Sequence, residues 1–214
     1  MLTADIQVQS GHFAAAVSRA QLVSFPGAQP VMHFSQDSTL YEEGDGANCY
    51  YRVVSGLVRT CRFSQDGRRH IDAFYKPGDV FGFEPGATHG FTAEAVTDCA
   101  VIPCHRRGAG ESEAQYLYSS ALEHLARAQA HAQLLGRGGA AQRMAGFLLE
   151  ISAHKQAGVV ELPMARQDIA DYLGLTIETV SRTLAQLQRV HAIRLLAARR
   201  IEIISRAVLQ NICG

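Results

Sequence analysis

Apolar residues follow three different rhythms along this chain. From Val31 to about Pro103 they form short runs: Val31-Met32-His33-Phe34, Thr39-Leu40-Tyr41, Tyr50-Tyr51-Arg52-Val53-Val54, Leu57 to Phe63 and His70 to Phe74. Turn residues separate these runs, at Glu43-Gly44-Asp45-Gly46, Ser55-Gly56, Gln65-Asp66-Gly67-Arg68 and Pro77-Gly78-Asp79, and Thr92 to Pro103 closes the series. Short strands punctuated by glycine predict an antiparallel β-roll or jelly roll. The residues before Val31 are weakly patterned, with Phe13 to Phe25 reading as a helix and loop that end at Pro26 and Pro30.

At Ser112 the rhythm changes. Ala114, Tyr118, Ala121, Leu125, Ala128, Ala132 and Leu135 recur at alternating spacings of 4 and 3. That is a heptad stripe, and it predicts one long helix from Ser112 to Leu135. Its alanines let two helices approach closely, and its length favours pairing with a second copy over packing on its own β-domain. Gly136 to Gly139 reads as a hinge. Ala140 to Ala153 reads as a further helix with Met144, Phe147, Leu148 and Ile151 inward.

The third rhythm lies near the C-terminus. Gln167 to Leu173 has Ile169, Ala170 and Leu173 on one face. After Gly174, Ile177, Val180, Leu184 and Leu187 form a second apolar stripe, with Glu178, Ser181, Arg182, Ala185 and Arg189 on the opposite side. Gly174 suits a tight turn and Thr176 a helix N-cap. Two short helices joined in this way predict a helix-turn-helix. By periodicity alone an amphipathic helix pair with a solvated charged side fits equally well. The chemistry favours a DNA reader: an exposed arginine can take guanine O6 and N7 together, and a carboxylate can accept from a cytosine amino group. Glu178 and Arg182 stand four apart on the exposed face, in the half of a recognition helix that reaches base edges. Beyond them, Ile193-Arg194-Leu195-Leu196 and Ile201-Glu202-Ile203-Ile204 flank Ala197-Ala198-Arg199-Arg200. This predicts a two-stranded wing with a basic turn, suited to phosphate contact. A short helix from Ser205 to Ile212 follows.

The chain has 214 residues, 47% of them hydrophobic, and a formal net charge of zero. Neutrality argues against a nucleic-acid binder until the chain is divided. Residues 138–214 carry 9 Lys+Arg against 6 Asp+Glu, and residues 1–137 carry 11 against 14. The basic part therefore coincides with the helix-turn-helix. No apolar run approaches the ~20 residues of a membrane span. Met1 to Ser10 lacks the pattern of a secretory signal, so a cytoplasmic location without membrane contact is expected. The cysteines, Cys49, Cys61, Cys99, Cys104 and Cys213, are odd in number and form no CxxC. Cys99, Cys104 and His105 lack the tight paired spacing of a zinc site, so neither metal nor other cofactor is expected.

A glycine-punctuated roll, a long helix and a winged helix-turn-helix, in that order, resemble the CRP/FNR superfamily of bacterial transcription regulators over nearly the whole chain. The specific marks are Lys76-Pro77-Gly78-Asp79-Val80-Phe81-Gly82, Leu135-Gly136-Arg137, Arg143 to Glu150, Leu162-Pro163-Met164, Asp168 to Gly174 and Glu178-Thr179-Val180-Ser181-Arg182. The last matches the FNR/FixK branch, where these glutamate, serine and arginine positions read TTG-containing palindromes. Two departures narrow the match. Phe83 follows Gly82 and His89-Gly90 stands in the approximate place of an Arg-Ser pair, so the ribose and phosphate partners of a cyclic nucleotide are missing. No cysteine precedes Cys49, so the cluster ligands of FNR are missing too. A FixK-type regulator is what remains, with relatives that control microaerobic respiration, denitrification or nitrogen-fixation genes. Ala165 is a further oddity, because it stands where relatives place a polar or sulfur-bearing helix cap.

The resemblance implies an α+β chain in three parts: a β-roll over residues 1–111, a dimerisation helix and hinge over 112–137 and a winged helix-turn-helix over 138–214. The expected function is that of a homodimeric activator, not an enzyme, that binds a double-stranded DNA palindrome and works with RNA polymerase. Glu178, Ser181 and Arg182 are assigned to base readout, Thr176, Thr179 and Arg199 to phosphates, and the seven heptad residues to the dimer interface. Two other readings stay open. One is an effector-gated regulator using heme or a thiol such as Cys49 or Cys61. The other is a cupin-type metalloenzyme, for which His70, His89 and Glu84 lack a close His-x-His spacing and which leaves residues 140–204 without a role.

Overall fold

The computed structural model describes residues 21–23, 30–105, 111–152 and 158–214. The helix and loop expected from Phe13 to Phe25 lie outside these residues except at Gln21–Val23, which form a strand. The chain divides into two compact units, Met1–Val58 with Tyr75–Gly108, and Arg59–Phe74 with Ala109–Gly214. Division by chain order places residues 59–74 with the roll, whereas by contacts they group with the C-terminal part.

Nine strands precede the first described helix: β1 (Gln21–Val23), β2 (Val31–Phe34), β3 (Thr39–Tyr41), β4 (Cys49–Ser55), β5 (Val58–Phe63), β6 (Arg69–Tyr75), β7 (Val80–Phe81), β8 (Thr92–Ala95) and β9 (Cys99–His105). In the first unit one sheet has the order β1-β2-β9-β4-β7, with antiparallel neighbours throughout. Val101 of β9 pairs with Met32 on one side and Val53 on the other, and all three are buried. This is the alternation of strands with one face on a core. β3 pairs antiparallel with β8. The β4–β9 register shifts after Val53, next to Gly56. Gly56 has φ +79°, and a Cβ there would lie 2.3 Å from the Asp98 carbonyl oxygen, so only glycine fits. Tyr41, Tyr51, Tyr75 and Phe81 pack their rings together, with Tyr51 and Phe81 centroids 5.4 Å apart. The five cysteines are free thiols, four of them buried.

The second unit holds the hairpin of β5 and β6, then α1 (Glu111–Leu135), α2 (Ala140–Ile151), β10 (Val159–Glu161), α3 (Arg166–Leu173), α4 (Ile177–Arg189), β11 (Ile193–Ala197), β12 (Arg200–Ile203) and α5 (Arg206–Cys213). Ser64 N–H donates to the Arg68 carbonyl and Gly67, at φ +78°, closes the hairpin turn. α2 buries Met144, Ala145, Phe147 and Leu148, and it stops at Ile151, which is only half-buried. α5 begins at the Ser205 cap, whose hydroxyl accepts from Val208 N–H. The wing differs from expectation. It is three-stranded, in the order β10-β12-β11, because Val160 buries its side chain and pairs with Ile201 along the open edge of β12. A free strand edge carries unpaired donors and acceptors that such an addition satisfies.

Candidate nucleic-acid interface

α3 and α4 form the expected helix-turn-helix. α3 buries Ile169, Ala170, Tyr172 and Leu173, together with Asp168. Gly174 closes it in the left-handed conformation, φ 61° and ψ 42°, and Leu175 N–H then donates to the Ala170 carbonyl. Arg143 of α2 donates to the Leu173 carbonyl at 3.1 Å and so satisfies an orphan acceptor at the end of α3. At the other end Ala165 has no side-chain acceptor to offer. Asp168 compensates in part, since its Oδ2 accepts from Ala165 N–H at 3.1 Å.

α4 buries Val180, Thr183, Leu184 and Leu187. Ile177, expected inward, is 38% exposed. It is the first residue after the cap, one turn before Val180, and Thr183 takes the fourth inward position instead. Thr176 caps α4 by accepting from Thr179 N–H.

Glu178 and Arg182 stand exposed on the outer face, with half-buried Ser181 between them. A hydrogen bond from its own backbone N–H, then one from Thr176, hold the Glu178 carboxyl below the ordinary range, and Arg182 adds a smaller pull. It is therefore an ionised acceptor at neutral pH. Arg182 Nη2 donates to Thr179 Oγ1 at 3.3 Å, and no ion pair joins it to Glu178 among the described residues. Thr179, expected at the phosphates, thus steadies the arginine. Ser181 Oγ accepts from Arg166 Nη1 at 3.2 Å, so a residue at the start of α3 reaches the outer face of α4. Sequence periodicity did not flag Arg166; the one available signal was an arginine on the first turn of the motif's first helix. Arg199 lies exposed in the turn between β11 and β12 and donates to the Pro163 carbonyl.

The heptad residues of α1 share one face. Ala114, Tyr118, Ala121, Leu125, Ala128, Ala132 and Leu135 are all exposed, Tyr118 at 67% and Leu125 at 55%. Leu117, Ser120, His124, Arg127, His131 and Leu134 form the covered face. The stripe therefore does not pack on its own unit.

In the roll, Gly82 has φ +72°, and a Cβ there would meet His89, Tyr41 and Tyr51 at 3.2–3.3 Å. His89 stacks on Tyr41 with centroids 3.6 Å apart. Aromatic side chains thus fill the space beside Gly82. Among the described residues no group of three His, Cys, Asp or Glu could hold a metal ion, and no helix is long and apolar enough to cross a membrane.

The comparison with known proteins agrees with this geometry. A Crp-like helix-turn-helix domain matches residues 142–212, and a cyclic nucleotide-binding domain matches residues 31–106. The nitrogen fixation regulation protein FixK of Rhizobium meliloti (strain 1021) is 41% identical over 189 residues, 88% of this chain and 89% of the relative. FixK of Azorhizobium caulinodans is 40% identical over 207 residues, 90% of this chain and 82% of the relative. The structure of FixK2 from Bradyrhizobium japonicum superposes with a TM-score of 0.80 at 40% identity, covering 87% of this chain and 98% of that one. A roll, a heptad helix and a winged helix-turn-helix, joined to relatives of this identity over this length, place the chain in the CRP/FNR family of DNA-binding transcription regulators, in its FixK-type branch.

Proposed function

We propose that the protein acts as a homodimeric activator that reads a TTG-type palindrome, each subunit laying α4 in one major groove. The observation that carries this reading is the outer face of α4, where Glu178, Ser181 and Arg182 project opposite a fully buried stripe. Arg182 takes a guanine, Glu178 accepts from an amino group on cytosine or adenine, and Ser181 makes a shorter polar or methyl contact. Thr176, Thr179 and Arg199 are assigned to phosphate contacts, which fix register. The exposed heptad stripe of α1 supports pairing with a second copy, which would set the two α4 helices roughly 34 Å apart, one turn of DNA. The names of the FixK relatives support control of nitrogen-fixation genes, and the family resemblance supports low-oxygen control and RNA polymerase as the partner at the promoter. The rings beside Gly82 support DNA binding without a cyclic nucleotide.

The test is a gel-shift series with Arg182→Ala on the palindrome and its single-base variants. The expected loss is about 1–3 kcal/mol with relaxed preference at one base pair per half-site. Wild-type affinity and preference in that variant would remove the assignment.

A further inference from the structure

The first helix of the reader is held by the β5–β6 hairpin at three points, none of which base readout requires. Arg59 Nη1 donates to Asp168 Oδ1 at 2.9 Å. Arg69 donates through Nη2 to the same oxygen at 2.6 Å and through Nε to Asp171 Oδ2 at 2.8 Å. Phe74 packs on Tyr172, ring centroids 5.3 Å apart. Asp168 and Asp171 are three apart on α3 and so share a face. The planar fork of Arg69 spans them, a geometry that a lysine ammonium cannot reproduce.

The four charged side chains are 5–18% exposed, so solvent screens them little. The carboxylates are also committed on their other sides, Asp168 to Ala165 N–H and Asp171 to the Gln167 side-chain amide. Both arginines lie in the same unit as the DNA reader, yet they are turned inward onto carboxylates, where they are not available as phosphate contacts. Because α4 packs on α3 through the Gly174 turn and the buried stripes of both helices, whatever orients α3 orients α4. The hairpin itself runs at both ends, Val58 and Tyr75, into strands of the roll's chain.

We propose that Arg59 and Arg69 are positioning residues for DNA reading. Through Asp168 and Asp171 they hold α3 at one orientation, and so determine the half-site spacing at which two copies engage a palindrome. The inference rests on the dimeric reading given above. Adding one base pair between half-sites moves them about 3.4 Å apart along the axis and also rotates one against the other. A reader clamped to its hairpin tolerates neither change, whereas a released one tolerates both.

The experiment measures binding of the full chain to palindromes whose central spacer is optimal, one base pair shorter or one longer. Wild type, Arg69→Gln, Arg69→Lys and the exchange Arg69→Asp with Asp171→Arg are compared, with Arg68→Gln as an exposed control and circular dichroism to verify folding. Wild type and Arg68→Gln should prefer the optimal spacer. Arg69→Gln should lose that preference by roughly tenfold, the scale of coupling within one ion-pair network, chiefly through weaker binding to the optimal site. The exchange should recover part of it. If Arg69→Gln does not fold, Arg69→Lys carries the test, because it keeps the charge and loses the two-carboxylate bridge. Equal losses at every spacing, or no loss, would overturn the positioning role while leaving the dimeric reading intact. A wild-type protein indifferent to spacing would instead overturn the dimeric reading and this proposal together.

Discussion

Arg59 and Asp168 are 109 positions apart in the chain, yet Arg59 Nη1 donates to Asp168 Oδ1 at 2.9 Å with side chains only 7% and 5% exposed. The pair joins a strand of the hairpin to the first helix of the DNA reader. Its energetic meaning lies in the asymmetry of buried charge: the intact pair adds little net stability, but a lone partner left behind is costly.

Asp168 keeps Arg69 as a partner, so Arg59→Ala should lower the unfolding free energy by about 1.5–3 kcal/mol, the scale of one charged hydrogen bond, read from urea midpoints. Arg68 offers the contrast. It is paired with Asp66 at the hairpin tip, but both side chains are largely exposed, 80% and 51%. Arg68→Ala should leave the midpoint unmoved, and a large shift there would show that the tip carries more than a solvated pair.

Leu125 should matter for assembly and not for the fold of one chain. It is 55% exposed within its own subunit, in the middle of the heptad stripe. Leu125→Asp should retain the helical spectrum yet sediment at the mass of a single chain and bind the palindrome weakly. A variant that still sediments as a dimer would move the interface away from this face.

Arg199, in the turn of the wing, should act on the phosphate backbone. Arg199→Ala should weaken binding by a similar factor on every sequence and reduce the slope of log affinity against log salt by about 1. A base-dependent loss would make it a reader instead.

The roll should lose stability at alkaline pH. Burial pushes the Cys99 thiol up to about 12, with Asp98 adding to the shift. Burial likewise raises the Tyr41 and Tyr51 phenols above their ordinary value. A raised folded value means that the unfolded chain ionises first. The stability from Cys99 is thus complete below an ordinary thiol value of about 8.5 and drains away as pH climbs through about 12. Thermal melts from about pH 8.5 upward should show a falling midpoint, and Cys99→Ala should flatten that fall.

Much of the architecture is legible in the sequence. Alternation and glycine punctuation between Val31 and Pro103 placed the strands. The heptad from Ala114 to Leu135 placed the long helix, whose stripe is exposed. Gly174 and Thr176 bounded the two helices of the reader. These are local properties, set by backbone sterics, capping and the period of apolar residues, and a single segment carries each of them in full.

What the tertiary structure decided is how segments distant in the chain meet. The third strand of the wing came from Val159 to Glu161, too short a run to announce itself, because an unpaired edge of β12 lay within reach. Arg182 came to rest on Thr179, and Ser181 gained Arg166 as a partner. The hairpin of residues 59–74 reads as one more piece of the roll, and its Arg59, Arg69 and Phe74 meet Asp168, Asp171 and Tyr172 of the DNA reader. Periodicity records which side of an element avoids water. It says nothing of which buried charge will neutralise another more than a hundred residues away, since that depends on the packed geometry of the whole unit.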